Sequence, residues 1–162
     1  MKENIVIREY RPEDLEQVIE IVRDIQRHEG SLYDRMLPPE AIGDWYVEKQ
    51  LQDCAVTGGA ILVAETNGRV AGYASLMVEV SSEEDRDEID YLFAYVPELG
   101  VAQAMRGKGI GTALLAACEE RARRAGRKWI RLSVLAANGD AHRLYSRLGY
   151  DPHIVTLEKR LD

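Results

Sequence analysis

A glycine at every second position, between a stretch of strand character and one of helical character, limits the fold of this chain more than any other feature. The glycines are Gly107, Gly109 and Gly111. Glycine adopts backbone conformations that other residues avoid, and it lets a backbone approach a ligand that a Cβ would obstruct. The helix that follows presents unpaired N–H groups and the positive end of its dipole, and Arg106 and Lys108 add positive charge. The segment predicts a strand-loop-helix unit that binds an anion such as a pyrophosphate.

Two other glycine-rich phosphate motifs do not match this segment. A dinucleotide-binding fingerprint requires a glycine three residues after Gly109, where Thr112 stands. A P-loop has serine or threonine after its lysine, whereas Gly109 follows Lys108. A glycine turn that only caps a helix stays open as the structural alternative.

Length and composition indicate one domain over residues 1–162, because a chain of this length with 46% hydrophobic residues fills one ordinary core. A formal net charge of -7 disfavours nucleic acid and anionic membrane surfaces as partners. Cys54 and Cys118 lack any metal-binding or disulfide spacing, so we expect two core thiols and no metal. No signal peptide or membrane-length apolar run is found, and we expect a cytoplasmic protein.

Residue periodicity predicts strands alternating with helices. Strands are expected over residues 5–7, 60–64, 70–80, 91–102, 129–135 and 154–157. Helices are expected over residues 12–30, from Pro39 through Leu51, and over residues 109–125 and 140–148. Asn67-Gly68 predicts a hairpin, and Pro97 predicts a bulge or an edge position. The pattern indicates an α/β domain on one mostly antiparallel mixed sheet with a parallel pair towards its end.

Two motifs in order resemble those of the GNAT acyltransferase superfamily. Arg106-x-x-Gly109-x-Gly111 is similar to the family's (Gln/Arg)-x-x-Gly-x-(Gly/Ala) motif. Residues 138–150 are similar to its Asn-x-x-Ala-x-x-hydrophobic-Tyr-x-x-x-Gly-(Phe/Tyr) segment. The resemblance implies a GNAT-like single domain, with a splayed parallel strand pair, about four flanking helices and acetyl-CoA as co-substrate.

The resemblance also implies roles for particular residues. Leu99, Gly100 and Val101 would present backbone groups to the pantetheine amides, Asn138 would meet the pantetheine arm, and Tyr145 would stand near the thioester sulfur. The phosphate contacts would fall on Arg106, Gly107, Lys108, Gly109, Ile110, Gly111 and Thr112.

Amine acetylation requires a base and gains from an acid. An alkylamine has a pKa near 10.4, so forming its neutral nucleophile at pH 7 costs roughly 4 to 5 kcal/mol. Glu98 is the nearest carboxylate to the family's position for the base, where this chain has Tyr95; a water relay or a carboxylate of the acidic segment 81–90 remains open. A thiolate leaving group has a conjugate acid of pKa about 8.5, so a phenol can protonate it, and Tyr145 is the expected acid. The alternative for Tyr145 is a core tyrosine.

The sequence therefore predicts an acetyl-CoA-dependent N-acetyltransferase acting on a primary amine of a small molecule or peptide. The alternatives are a non-catalytic acyl-CoA sensor on the same fold and a partner-binding scaffold. The run of carboxylates in residues 81–90 favours a cationic acceptor if it lines the acceptor entrance, and otherwise is solvated surface. An edge strand leaves a homodimer open.

Overall fold

The computed structural model describes residues 4–82 and 89–162. Its strands are β1 (Val6–Glu9), β2 (Ala60–Thr66), β3 (Arg69–Ser81), β4 (Leu92–Val101) and β5 (Ile130–Leu132). Its α-helices are α1 (Leu15–Gly30), α2 (Asp44–Val56), α3 (Ile110–Arg124) and α4 (Gly139–Arg147). The described ranges thus contain the α/β architecture that the residue pattern predicts.

The strands form one sheet in the order β1-β2-β3-β4-β5. Every pairing is antiparallel except that of β4 with β5, which is parallel and spans only three residue pairs. The predicted mixed sheet with a parallel pair at its end is confirmed. β5 therefore forms one edge of the sheet.

The hairpin between β2 and β3 follows directly from its two turn residues. Asn67 and Gly68 both have positive φ angles, 50° and 74°. A two-residue turn of this kind matches the right-handed twist of the flanking strands, and asparagine and glycine tolerate it best. The hairpin prediction is confirmed.

Helices cover both faces of the sheet. Val18, Ile19 and Val22 on α1 pack with Cys54 of α2 against one face. α3 covers the other face and includes the buried thiol of Cys118. Both cysteines are buried and free, as predicted.

The second helix begins later than the residue pattern predicts. Pro39–Ala41 form a 3-10 turn, and α2 starts at Asp44. Ile42 and Gly43 between them are extended, and Ile42 is 1% exposed. The helix expected from Pro39 through Leu51 is wrong in its first part, because the extended backbone of Ile42 and Gly43 separates the 3-10 turn from α2.

The C-terminal strand expected over residues 154–157 is also wrong. Residues 151–162 have no regular secondary structure, and every one is exposed. β5 spans three residues rather than the seven expected over 129–135. Strand pairing is a long-range interaction, so the β-propensity of a segment does not by itself provide a partner strand.

The basic end of α3 is exposed and forms ion pairs along the helix. Arg123 pairs with Glu119 at 3.0 Å, and Arg124 pairs with Glu120 at 2.8 Å. In the described ranges, no helix is both long and apolar enough to cross a bilayer.

Candidate functional site

A β-bulge in β4 creates the candidate site. Tyr95 pairs with Met77 and Glu98 pairs with Ser75, so two residues of β4 lie opposite one residue of β3. One of the two is Pro97, which has no N–H to offer the ladder, and the predicted bulge at Pro97 is confirmed. The last pair between β4 and β5 joins Val96 to Leu132. Beyond it the parallel strands separate and one edge of β4 is open.

The open edge of β4 presents backbone groups of alternate residues. The Glu98 N–H donates to Ser75 Oγ at 3.1 Å and the Ala102 N–H to Ala71 O at 2.9 Å, both on the β3 side. Because strand residues alternate, Leu99 and Val101 direct their N–H and C=O groups to the open edge. Arg106 Nε donates to the carbonyl of Val101 at 3.2 Å, which agrees with that direction.

Gly100 has a packing role in this strand. A Cβ at Gly100 would lie 2.5 Å from Ile25 Cδ1 and 2.8 Å from Ile21 Cγ2, both on α1. The alternation turns its backbone groups towards β3 rather than to the open edge. Leu99, Gly100 and Val101 were expected to offer backbone groups to pantetheine. Gly100 differs from the other two, because its lack of a side chain lets α1 approach the sheet.

The side chain of Glu98 points to the face covered by α1 and α2. Tyr46 donates its hydroxyl to Glu98 Oε2 at 2.5 Å, and Gln50 Nε2 donates to the same oxygen at 2.8 Å. Gln50 Nε2 also lies 3.4 Å from the hydroxyl of Tyr73, which is 0% exposed. Tyr46 and Gln50 thus hold the Glu98 carboxylate in one orientation. Both donors lie on α2, which is distant from β4 along the chain.

Burial sets the protonation of this cluster. It raises the pKa of Glu98, while the hydrogen bond from Tyr46 opposes the rise. Burial also raises the pKa of Tyr73 far above its usual value. Gln50 Oε1 is buried and accepts no hydrogen bond from a described residue. A packed core normally gives each buried polar atom a hydrogen-bond partner. A buried polar atom without one is therefore typical of a functional site.

Glu29 and Tyr145 share the environment of Glu98. Burial raises the pKa of the Glu29 carboxyl, at the end of α1. Burial raises the pKa of Tyr145, on α4, to about 12, with further contributions from the charges of Glu29 and Glu98. Tyr145 also packs beside the core and against the ring of Tyr150, with ring centres 6.1 Å apart. Its predicted position near the reacting groups and its packing role are therefore compatible.

Sequence reasoning missed Tyr46, Gln50 and Glu29. Tyr46 and Gln50 are four residues apart and so lie on one face of α2. That spacing is a usable signal for a pair, but only tertiary packing directs the pair to Glu98.

The glycine loop leads into α3 with a left-handed backbone. Gly107 and Gly109 have φ angles of 75° and 85°, which only glycine adopts without strain. No side chain caps the N-terminus of α3 in the described ranges, and its first internal bond runs from Ala113 N to Gly109 O at 3.0 Å. The N–H groups of the four residues before Ala113 have no acceptor within the helix. This end of α3 has the geometry of an anion site.

Other residues of the loop have separate positions. Ile110 is 1% exposed, so it offers only its backbone. Gly111 lies under α4, where a Cβ would come 3.3 Å from Leu144 Cδ2. Arg106 is held at Val101, and Lys108 Nζ lies 3.6 Å from Met105 Sδ. The backbone of residues 109–112 therefore carries the anion-binding geometry more directly than the two cations.

Asn138 begins α4. Its Oδ1 accepts a hydrogen bond from the Ala141 N–H at 3.2 Å, which caps the helix. It follows β5 where β4 and β5 have separated, the place expected for contact with a pantetheine arm. The cap fixes the start of the helix that carries Tyr145.

Two further predictions concern the acidic run and the absence of a metal site. Residues 83–88, which hold most of the acidic run, lie outside them. The described residues contain no cluster of three or more histidine, cysteine, aspartate or glutamate side chains arranged to hold a metal ion.

Comparison with known proteins identifies relatives of this chain. A model of the acetyltransferase (GNAT) family matches residues 19–150. The aminoalkylphosphonate N-acetyltransferase of Salmonella typhimurium is 39% identical over 88 residues, which cover 54% of this chain and 54% of that protein. The match thus spans about half the length of that relative. The L-methionine sulfoximine/L-methionine sulfone acetyltransferase of the same species is 29% identical over 138 residues, covering 85% of this chain and 74% of that protein.

A solved structure shares the fold. The Salmonella typhimurium protein yncA, solved with its cofactor acetyl-CoA, superposes with a TM-score of 0.70 at 24% identity. The superposition covers 91% of this chain and 79% of that one. The family model spans both the glycine loop and the segment that begins at Asn138, and the chain belongs to the GNAT acetyltransferase family.

Proposed function

We propose that this protein transfers the acetyl group of acetyl-CoA to a primary amine of a small molecule or peptide, by direct attack of the amine in a ternary complex. The observation that carries the proposal is the half-buried, hydrogen-bonded Glu98 beside the point where β4 and β5 separate, together with the uncapped start of α3. A base and an anion site on opposite sides of an open strand suit this reaction.

The donor would be held by backbone groups. The N–H groups of Gly109, Ile110, Gly111 and Thr112 suit the pyrophosphate, and the positive end of the α3 dipole favours its charge by about 0.3–1 kcal/mol. The open edge at Leu99 and Val101 suits the amides of pantetheine, as one strand suits another. Asn138 would contact the same arm. Bound acetyl-CoA supplies an acyl group activated by a thiolate leaving group.

Glu98 is proposed as the general base. The proton to be removed lies on the nitrogen of the acceptor, and Glu98 would take it on a carboxylate oxygen. Its raised pKa moves it towards that of an efficient base at neutral pH. Tyr46 and Gln50 restrict its side chain, so the receiving oxygen is held in place before the acceptor arrives.

Tyr145 is proposed as the general acid. It would donate its hydroxyl proton to the sulfur as the carbon–sulfur bond breaks. Its raised pKa, about 12, keeps the phenol protonated at neutral pH, as the role requires. Its hydroxyl makes no hydrogen bond to a described residue that would compete for that proton.

A cationic acceptor is supported by the carboxylate of Glu29, which acts on the proposed base Glu98. Glu29 is half-buried, and its charge acts on both Glu98 and Tyr145. A second positive group on the acceptor would offset the cost of charging Glu29. The acidic residues 83–88 are proposed to add to the same field.

The test mixes acetyl-CoA with diamines, amino acids and basic dipeptides and follows release of free thiol. Amine-dependent release with a matching acetylated product supports the proposal. Calorimetric binding of CoA without any such release supports a non-catalytic sensor instead. Neither release nor CoA binding would leave only a structural role for the glycine loop.

A further inference from the structure

Trp45 is a large aromatic side chain near the proposed base, and the proposed mechanism does not use it. It is 48% exposed. Its ring packs edge to face with the ring of Tyr46, with ring centres 5.4 Å apart and planes at 79°. Tyr46 is the residue that donates its hydroxyl to Glu98. Trp45 is thus separated from the proposed base by one side chain, and an edge-to-face contact leaves at least one face of its ring free of Tyr46.

Hydrogen bonds hold Trp45 in one position. Its indole Nε1 donates to the carbonyl of Ala41 at 3.1 Å. The next carbonyl, that of Ile42, accepts from Nε and Nη2 of Arg23 on α1 at 3.1 and 2.8 Å. An exposed side chain normally keeps its rotamer freedom in water, so fixing this ring has a cost in entropy. A ring that is fixed before a ligand arrives lowers the cost of binding that ligand.

Glu29 adds an unpaired carboxylate to the surroundings of Tyr46. It lies in the last turn of α1 and is partly buried. In the ranges that the structure describes, its side chain forms no hydrogen bond and no ion pair. Burial and the charge of Glu98 raise the pKa of Tyr46, and the charge of Glu29 adds to the rise. Trp45 and Glu29 therefore both act on Tyr46.

We propose that the exposed face of Trp45 binds the second positive group of the acceptor, together with the carboxylate of Glu29. The quadrupole of an aromatic ring attracts an ammonium group within about 6 Å of the ring centre. The inference rests on the proposed function, in which Glu98 takes a proton from the first amine. Trp45 then selects a diamine over a monoamine of the same carbon length.

A cation suits this position better than an apolar tail. Asp44, next to Trp45, is exposed and acidic, and Lys49 on the same helix is already paired with Asp53. An apolar tail would gain contact with the ring, but it would cover Glu29 without providing a partner for the charge. A second ammonium group gains from both the ring and the carboxylate.

The first test compares putrescine with butylamine, which has the same carbon chain and no second charge. Trp45→Leu should lower kcat/KM for putrescine about fivefold and leave that for butylamine nearly unchanged. Trp45→Phe keeps an aromatic face and should retain most of the preference for putrescine. Trp129→Leu, at the other tryptophan, is the control and should change neither value. Equal losses for both amines in Trp45→Leu, or no loss for putrescine, would overturn the proposal.

The second test measures binding without turnover, through tryptophan fluorescence. The chain has two tryptophans, so Trp129→Phe leaves Trp45 as the single indole. With CoA present, putrescine should change the emission of this variant saturably, whereas butylamine at the same concentrations should not. Trp45→Phe, which keeps only Trp129, should respond to neither amine.

The two tests separate this inference from the proposed function. Thiol release from amines with an emission of Trp45 that does not respond to putrescine, or responds equally to butylamine, would overturn the role of Trp45 alone. A specific response of Trp45 to putrescine without thiol release from any amine would overturn the transferase proposal and support the binding site.

Discussion

Gln50 Nε2 on α2 donates a hydrogen bond of 2.8 Å to Oε2 of Glu98 on β4, while Gln50 Oε1 is buried without a donor among the described residues. One side chain thus orients the proposed base and leaves its own carbonyl unsatisfied. An arrangement that costs stability, at a residue that contacts the base, is what a positioning role predicts.

Gln50→Leu should lower kcat about tenfold without loss of stability, because it removes both the donor to Glu98 and an unsatisfied buried oxygen. Loss of the donor should raise the pKa of Glu98 further, so the acid limb of kcat/KM should move to higher pH. Gln52→Leu, on the exposed face of the same helix, is the control. An unmoved pH profile in Gln50→Leu would assign Gln50 to packing alone.

Glu98→Gln should reduce kcat by about 10²–10⁴. In the wild type, kcat/KM should fall as the pH drops through the raised pKa of Glu98, because the base must be ionised. The variant should lose that dependence. Exposed Glu48→Gln serves as the control for the change of charge on this face.

The same substitution predicts a gain in stability. A carboxyl whose pKa is raised in the folded state stabilises the fold below its unfolded pKa and loses that contribution as the pH rises through its folded pKa. Glu98→Gln should therefore melt at a higher temperature than the wild type at pH 8, and the difference should shrink in acid. A variant less stable than the wild type at pH 8 contradicts the raised pKa.

Tyr145→Phe should lower kcat by about 10²–10⁴ with little effect on acetyl-CoA affinity measured by calorimetry. Its stability should change little, since the hydroxyl bonds to no described residue. Tyr150→Phe is the matched control: it removes the hydrogen bond to Glu119, so it should cost about 1 kcal/mol of unfolding free energy and leave kcat unchanged. A loss of less than about threefold in Tyr145→Phe would return this residue to the core.

Gly109→Val should abolish CoA binding, because Gly109 has a φ of 85° at the start of α3 and its backbone is proposed to contact the phosphates. Gly126, just beyond the other end of the helix, has a φ of 77° and similar open space. Gly126→Val should therefore lower the free energy of unfolding by a comparable amount, about 1–3 kcal/mol, but keep the CoA affinity of the wild type. Equal affinity in both folded variants would remove the loop from the donor site.

Glu29→Gln should raise KM for a diamine about tenfold. It should change KM only slightly for a monoamine that carries no second charge. The carboxylate of Glu29 is proposed to face the second positive charge of the acceptor. In the wild type, kcat/KM for the diamine should fall as salt rises, because the attraction is screened over about 8 Å at physiological ionic strength. Exposed Glu20→Gln on α1 is the control, and an equal response to both amines would exclude a cationic acceptor at Glu29.

Local features could be predicted because they depend on residues close in the chain. Asn67 and Gly68 specify their hairpin through two φ angles, and Pro97 specifies a bulge through a missing N–H. The glycines at 107 and 109 adopt left-handed conformations next to a helix start. The predictions fail where backbone path and distant contacts decide: Ile42 is buried and extended ahead of α2, and residues 154–157 pair with no strand of the described ranges.

The sequence by itself determined the turns, the apolar helix faces, the glycine loop and the motif that carries Tyr145, since each is set by backbone conformation and spacing within a few residues. Only the tertiary structure decided that Glu98 meets Gln50 and Tyr46 and that Glu29 shares their environment. Those residues lie far apart in the chain, and their protonation depends on burial, which arises when α1 and α2 pack on the sheet.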